Sequence, residues 1–257
     1  MLKRVQVHIE SMAFKGYGVT RIDGKVLFVP YSVAEDKAWV EIIESKKNYS
    51  IGKLSELIEP SRLRTTPPCP YFGVCGGCQW QHIDHSVHGE FKKKIFTEIL
   101  KRLGGLKEVP SIDVIPSPQP YGYRVRVQLK VRGKAMGYFE ERSHHIVDIS
   151  HCPIAHPLVN QIISSLRKTP PSFFQADDIE INTSPEEEEG ILILHPLSVR
   201  QGTKDSAKEF LQSHPILKGI AVMPGKGLIS VGNPSLNVTI PFNRWEEKSV
   251  LRLRISP

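Results

Sequence analysis

Residues 19–29 are Val19-Thr20-Arg21-Ile22-Asp23-Gly24-Lys25-Val26-Leu27-Phe28-Val29. An Asp-Gly pair between two apolar runs is a strong local signal for a two-residue β-hairpin turn. Outward from this hairpin, residues 5–10 alternate apolar and polar side chains, and further strand-like segments occupy residues 38–43 and 52–58. Five short strands within residues 1–60 predict a small β-barrel of the oligonucleotide-binding type.

The rest of the chain predicts an α+β domain over residues 61–257. A loop rich in Pro, Cys and Gly (residues 61–84) is followed by a predicted helix over residues 85–103, with Asp84 as its N-cap. Strands are expected at 123–131, 135–139, 146–149, 179–182 and 191–194, and helices at 157–168 and 203–212. The predicted fold class is therefore mostly β with α, in two parts.

Three of the four cysteines lie within ten residues of one another. Cys69, Cys75 and Cys78 have the spacing C-x5-C-x2-C, and Cys152 follows much later. Gly76 and Gly77 would let the loop wrap tightly and bring backbone amides near the sulfurs, as an iron–sulfur cluster requires. Structural zinc sites usually pair two C-x2-C knuckles, or combine one knuckle with closely spaced histidines. The spacing therefore favours a 4Fe–4S cluster on all four cysteines.

Two alternatives to the cluster stay open. The nearby histidines His82, His85, His88 and His151 would permit a zinc site. The cysteines could also be reduced structural thiols, because few disulfides form in the reducing cytosol.

The net charge of +7 is unevenly distributed along the chain. Residues 85–135 carry 11 Lys/Arg against 4 Asp/Glu. A concentrated basic region is typical of proteins that bind a polyanion, although a solvated lysine-rich helix would have the same composition. No signal peptide or stretch of about 20 apolar residues is present, so a cytoplasmic protein without membrane contact is expected.

One predicted strand offers a surface for a nucleic acid. Arg124, Arg126, Lys130 and Arg132 alternate with apolar residues and would share one face. Neighbouring cations on that face would lie about 7 Å apart, a spacing that suits successive phosphates of single-stranded RNA. The alternative is an edge strand protected from aggregation by its charges.

Two aromatic residues in the barrel could contribute to the same function. Phe14 and Tyr17 lie beside the break at Gly16-Tyr17-Gly18, and their rings could stack on bases. Ordinary packing is the alternative for both.

The segment Cys69-Pro-Tyr-Phe-Gly-Val-Cys75-Gly-Gly-Cys78-Gln-Trp-Gln-His82 closely resembles the cluster loop of the iron–sulfur RNA (uracil-5-)-methyltransferases. His151-Cys152-Pro153-Ile154 is similar to the site of that family's fourth ligand, and Tyr121-Gly-Tyr-Arg124 to its central domain. Residues 11–30 resemble the family's TRAM domain. The sequence departs from the pattern at Glu35-Asp36, where the family usually has a Pro-Gly turn, and this changes a loop more than the fold.

The resemblance implies an enzyme that methylates RNA with S-adenosylmethionine, with 23S ribosomal RNA favoured over tRNA as the substrate. The family's catalytic domain would follow Pro257, so this chain is expected to lack it and to be inactive alone. All four cysteines are assigned to the cluster, and none is left as the nucleophile that attacks uracil. S-adenosylmethionine would accordingly bind only the full-length protein.

Two other classes of protein also combine RNA binding with a cysteine-ligated metal site. A stand-alone RNA-binding protein with a structural 4Fe–4S or zinc site would share all the features above. A radical S-adenosylmethionine enzyme would need C-x3-C-x2-C with one iron left open, which disagrees with the spacing here.

The predicted helix over residues 85–103 carries an apolar stripe that includes Phe91, Ile95, Ile99 and Leu103. In the family this segment is expected to pack with the catalytic domain. The sequence alone therefore predicts a poorly ordered helix, self-association through this stripe, or packing on the central domain.

Overall fold

The computed structural model describes residues 3–168, 176–196, 198–199, 201–224, 227–244 and 247–257. The chain divides into two compact units, Met1–Pro118 and Gln119–Pro257. The described helices include none that is long and apolar enough to cross a membrane. Over the described residues the fold is mostly β with three α-helices, as the sequence predicts.

The first unit contains a six-stranded sheet. Its strands are β1 (Arg4–His8), β2 (Ser11–Ala13), β3 (Tyr17–Ile22), β4 (Lys25–Val29), β5 (Lys37–Ser45) and β6 (Tyr49–Glu59). The order across the sheet is β1-β5-β6-β4-β3-β2. β1 and β2 are the two outer strands, yet only two residues separate them along the chain, so the sheet must curl back on itself.

The predicted hairpin is confirmed by the pairing of β3 with β4. β3 and β4 pair from Gly18–Val29 to Ile22–Lys25, and Asp23 and Gly24 both have positive φ, +53° and +76°. Positive φ at both central residues is the geometry of the turn that matches the twist of paired strands. The sequence predicted five strands; the sixth, β2, has only three residues and escaped the pattern.

The inside of the curled sheet is apolar. Its core contains Val7, Ile9, Leu27, Val29, Ala38 and Val40. These residues alternate along their strands with more exposed ones, as expected for a sheet buried on one face.

Helix α1 (His85–Arg102) follows the cysteine loop. Asp84 is its N-cap, and the side chain accepts a hydrogen bond from the Ser86 amide at 2.8 Å. Val87, Phe91 and Ile95 pack against a small core that includes Met12 and Ile83 of the same unit. The expectation that this stripe lacks a partner within the chain is therefore wrong for its first half. Leu103, just beyond the helix, is 84% exposed.

The part of the second unit that the structure describes contains a seven-stranded sheet, two helices and a separate pair of strands. The strands are β7 (Arg126–Arg132), β8 (Ala135–Phe139), β9 (Ile146–Asp148), β10 (Ala176–Ser184), β11 (Glu189–Pro196), β12 (Leu217–Val222) and β13 (Ile229–Gly232). The helices are α2 (Pro157–Lys168) and α3 (Thr203–Gln212), and the separate pair is β14 (Leu236–Arg244) with β15 (Glu247–Ile255). The sheet order is β13-β12-β11-β10-β7-β8-β9.

β7 is an internal strand of this sheet. It pairs with β10 along residues 126–130 and with β8 along residues 130–132. The alternative interpretation of this segment as an edge strand is therefore wrong. The strand begins at Arg126 rather than at residue 123, and Arg124 instead forms an isolated parallel bridge with Ala155. Val127 and Leu129 are buried, which confirms the predicted alternation over this part of the strand.

Candidate metal centre and nucleic-acid interface

The cysteine loop is held by short-range hydrogen bonds. The Cys75 amide donates to the Tyr71 carbonyl at 2.8 Å, and the Phe72 amide donates to the Cys69 carbonyl at 3.1 Å. The Gly77 amide donates to Cys75 Sγ at 3.4 Å. An amide directed at a sulfur stabilises the thiolate form, and such contacts also tune iron–sulfur clusters.

None of the four cysteines is in a disulfide, and they lie in two different settings. Cys69, Cys75 and Cys78 are half-buried in the first unit, and Cys152 is buried in the second. Asn160 of α2 holds the backbone at Cys152: its Oδ1 accepts from the Cys152 amide at 2.8 Å, and its Nδ2 donates to the Cys152 carbonyl at 3.0 Å. No sequence pattern predicts this role of Asn160, because an asparagine inside a helix gives no signal of such a role.

Within the described residues, no three His, Cys, Asp or Glu side chains form a group that could hold a metal ion. The chemistry of the loop nevertheless fits an iron–sulfur ligand set, because its donors are thiols and an amide points at one of them. The assignment of Cys69, Cys75, Cys78 and Cys152 to one cluster stays a prediction.

Two of the histidines considered for zinc have structural contacts. His82 is buried, and its Nε2 donates to the Ser32 carbonyl at 3.3 Å. Burial lowers the pKa of His82 to about 4, so the ring is neutral at pH 7. His88 Nε2 donates to the Ile83 carbonyl at 3.0 Å, and burial lowers the pKa of His88 as well. These contacts favour packing roles for both rings.

A buried ion pair lies between the barrel and the start of the cysteine loop. The Asp36 carboxylate is fully buried and accepts from Arg64 Nε at 2.8 Å and from Arg64 Nη2 at 2.7 Å. Glu35 beside it has φ +76°, in the left-handed region. The sequence predicts only a loop difference at Glu35-Asp36, because Arg64, the partner of Asp36, lies 28 residues away.

The cations of β7 are not equivalent. Arg126 forms an ion pair with Glu180 at 2.9 Å, and Lys130 forms one with Asp178 and also lies 5.6 Å from the Phe139 ring centre. Both acids are on the neighbouring strand β10, so they offset the charge of these two cations. Arg124 is half-buried and Arg132 exposed, and neither side chain has an acidic partner among the described residues.

The two barrel aromatics also differ. Phe14 is 68% exposed, whereas Tyr17 is 9% exposed, so packing describes Tyr17 better than stacking on a base. Both border a groove of about 1570 Å³ within the first unit, between the outer face of the barrel and α1. Phe28 and Tyr49 line the same groove, with ring centres 5.9 Å apart.

Comparisons with known proteins agree with this architecture. The TRAM domain family matches residues 3–55. An uncharacterized RNA methyltransferase of Protochlamydia amoebophila (strain UWE25) is 34% identical over 90% of this chain and 55% of its own length. A 23S rRNA (uracil(1939)-C(5))-methyltransferase of Azoarcus sp. (strain BH72) is 28% identical over 91% of this chain and 56% of its own length.

A solved structure has the same fold. It is the Pyrococcus abyssi tRNA (uracil-54, C5)-methyltransferase in complex with S-adenosyl-L-homocysteine, with a TM-score of 0.68 and 20% identity over 98% of this chain and 59% of that one. The chain thus spans about half the length of the curated relatives it matches. The chain thus contains a TRAM domain at residues 3–55 and is homologous along most of its length to proteins named as RNA methyltransferases.

Proposed function

We propose that this chain is the RNA-recognition portion of an S-adenosylmethionine-dependent RNA uracil-5 methyltransferase that acts on 23S ribosomal RNA in the cytoplasm. The observation that carries the proposal is the relative named as a 23S rRNA uracil-C5 methyltransferase, which matches 91% of the chain. The solved structure named for a tRNA substrate makes tRNA the competing RNA class, although its 20% identity supports only the fold.

Within this proposal, Cys69, Cys75, Cys78 and Cys152 hold a 4Fe–4S cluster. The support is that all four donors are thiols, that the Gly77 amide donates to Cys75 Sγ, and that the Asn160 side chain bonds to the backbone of Cys152. Protein purified without oxygen should contain about four irons and four acid-labile sulfides per chain. Replacing any one cysteine with serine should lower both. One zinc without sulfide would instead support the zinc alternative.

RNA contacts are assigned to Arg124, Arg132 and Phe14 ahead of Arg126, Lys130 and Tyr17. The first three lack an acidic partner or are exposed, whereas Arg126 and Lys130 are paired with acids and Tyr17 is nearly buried. Arg124 and Arg132 therefore have more charge available for phosphates.

The assignment is tested with Arg124→Ala/Arg132→Ala against the control Lys204→Ala/Lys208→Ala, which removes the same charge from α3. The first pair should weaken binding to a 23S rRNA fragment and reduce the slope of log affinity against log salt by about 1 to 2. Equal effects of the two pairs would show that only net charge matters. Tighter binding to tRNA than to the 23S fragment would reverse the proposed substrate class.

The methyl transfer itself is proposed only for the longer protein. If the four cysteines ligate the cluster, this chain has no thiolate left to attack uracil. The chain alone should therefore transfer no tritium from labelled S-adenosylmethionine to RNA. Methyl transfer above background would contradict the proposal that this chain alone is inactive.

Self-association through α1 stays a prediction. Since Phe91 and Ile95 already have partners, it would depend on Phe96 and Leu103.

A further inference from the structure

We propose that the barrel positions the cysteine loop, and that Gly16, Asp36 and Arg64 are the positioning residues. The inference rests on the proposed function only where it concerns the cluster, because the contacts themselves belong to the cysteine loop and the barrel of the first unit.

The cysteine loop is closed at its two ends. The Thr65 amide donates to the His82 carbonyl at 3.0 Å, and the Asp84 amide donates to the Leu63 carbonyl at 2.8 Å. Arg64 and Ile83 form an antiparallel bridge between these two hydrogen bonds. Residues 63–65 and 82–84 are therefore the neck of a loop that contains Cys69, Cys75 and Cys78.

Asp36 fixes this neck to the barrel. Its Oδ1 accepts from the Ser61 amide at 2.9 Å and its Oδ2 from the Val33 amide at 2.6 Å, in addition to the two bonds from Arg64. Arg64 Nη2 also donates to the Tyr31 carbonyl at 2.9 Å. A buried carboxylate with four donors and a bidentate arginine is a rigid connection, since each partner left alone would be a costly buried charge.

Gly16 provides a second, separate contact. Its φ is +73°, and a Cβ atom there would lie 2.7 Å from Nε1 of Trp80. Trp80 stands two residues after Cys78, so the barrel turn at Gly16 sets how closely that end of the loop can approach. On the other side of the loop, the Phe72 ring lies 5.4 Å from the ring of Tyr31.

Together these contacts hold the cysteine-bearing segment at its neck and near Cys78. Inside the loop, the Phe72, Val74 and Cys75 amides donate to carbonyls only three or four residues earlier, so these bonds do not tie the loop to the rest of the unit. Loss of the barrel contacts should therefore loosen the loop before it unfolds the barrel, and a cluster bound there should be lost faster.

The test measures backbone hydrogen exchange in the full chain, as purified and after iron is removed with a chelator. Arg64→Gln removes the bidentate ion pair, and Gly16→Ala crowds Trp80. Arg64→Lys keeps the positive charge but cannot form the paired hydrogen bonds that the guanidinium makes to Asp36. Val40→Ala is the control, because it creates a cavity in the barrel core away from these contacts.

In Arg64→Gln and Gly16→Ala, exchange within residues 66–81 should rise at least tenfold relative to Val40→Ala, with an intermediate rise in Arg64→Lys. Release of iron to the chelator should follow the same order. Loop exchange equal to that of Val40→Ala in both variants would overturn the inference. If Arg64→Gln does not fold, Gly16→Ala decides the outcome.

The two proposals fail in different ways. If the protein binds no iron but the chelator-treated variants show the expected exchange, the positioning role stands and the cluster assignment fails. If iron is bound and loop exchange is unchanged in both variants, the cluster assignment stands and the positioning role fails.

Discussion

The protonation of His82 should make the stability of the first unit depend on pH. Burial lowers its pKa to about 4 from the ordinary 6.5, so the unfolded chain binds a proton more readily than the folded chain between these values. The stabilisation is complete above pH 6.5 and is lost as the pH falls toward 4.

We expect His82 to account for a loss of about 3 kcal/mol in the free energy of unfolding between pH 7 and pH 4. Urea titrations at several pH values would measure it. Other groups also titrate in this range, so His82→Gln is the control and should show a shallower dependence. Identical pH profiles for the two proteins would contradict the assignment.

Asn160 should stabilise the second unit through its bonds to the backbone at residues 152 and 155. Asn160→Ala leaves the Cys152 amide and two carbonyls without these partners, which should cost about 1 to 3 kcal/mol. Gln161→Ala, at the exposed neighbouring position, should change stability by less than about 0.5 kcal/mol. Thermal unfolding of both variants measures the difference, and equal effects would show that Asn160 has no special role.

For single residues, the sequence predicted which side chains face the core better than it predicted which residues contact one another. The alternation along Arg126–Arg132 was visible, but Glu180 and Asp178 are about 50 residues away, and only the strand order brings them beside β7. The same applies to Asp36, whose burial depends on Arg64. The pairing of segments that are distant along the chain cannot be predicted from the periodicity of either segment.

Among the elements, α1 shows how much of a helix its own sequence determines. Its start, its N-cap and its end within one residue of Leu103 agree with prediction, because these depend on neighbouring residues. The prediction of its packing partner was wrong in part, because the apolar stripe gives no information about which surface it contacts.

The two ends of this stripe should respond differently to truncation. Ile95→Ala removes contacts with the small core near Met12 and should lower the free energy of unfolding of the first unit by about 1 to 2 kcal/mol. Leu103→Ala should change it by less than about 0.5 kcal/mol, because that side chain is 84% exposed. Chemical denaturation monitored by circular dichroism compares them. A larger loss for Leu103→Ala would indicate that it is buried in solution, for example against a second copy.

For the whole molecule, the division into two compact units predicts two separable unfolding events in metal-free protein. Val40→Ala should shift only the transition of the first unit and Ile163→Ala only that of the second, each by the equivalent of about 1 to 5 kcal/mol. Hydrogen exchange can assign each transition to its residues. A single transition that both variants shift equally would show one cooperative fold.

Fold class and the succession of a barrel and an α+β part could be predicted because both follow from local alternation and turn signals. The predicted boundary after residue 60 marks the end of β6 and stays a prediction for the domains. Contacts instead group the cysteine loop and α1 with the barrel, up to Pro118. That grouping depends on long-range packing, such as that of Ile95 near Met12, which composition does not show.

The buried pair of Asp36 and Arg64 also bears on how this barrel could be exchanged between proteins during evolution. The TRAM match ends at residue 55, so a gene fusion at that boundary would carry Asp36 into a new protein and leave Arg64 behind. Removing one partner of a buried ion pair costs about 3 to 5 kcal/mol, a large share of the 5 to 15 kcal/mol that stabilises a typical domain. Recombination at this boundary would therefore require an uncharged residue at position 36, or a new cation supplied by the recipient chain.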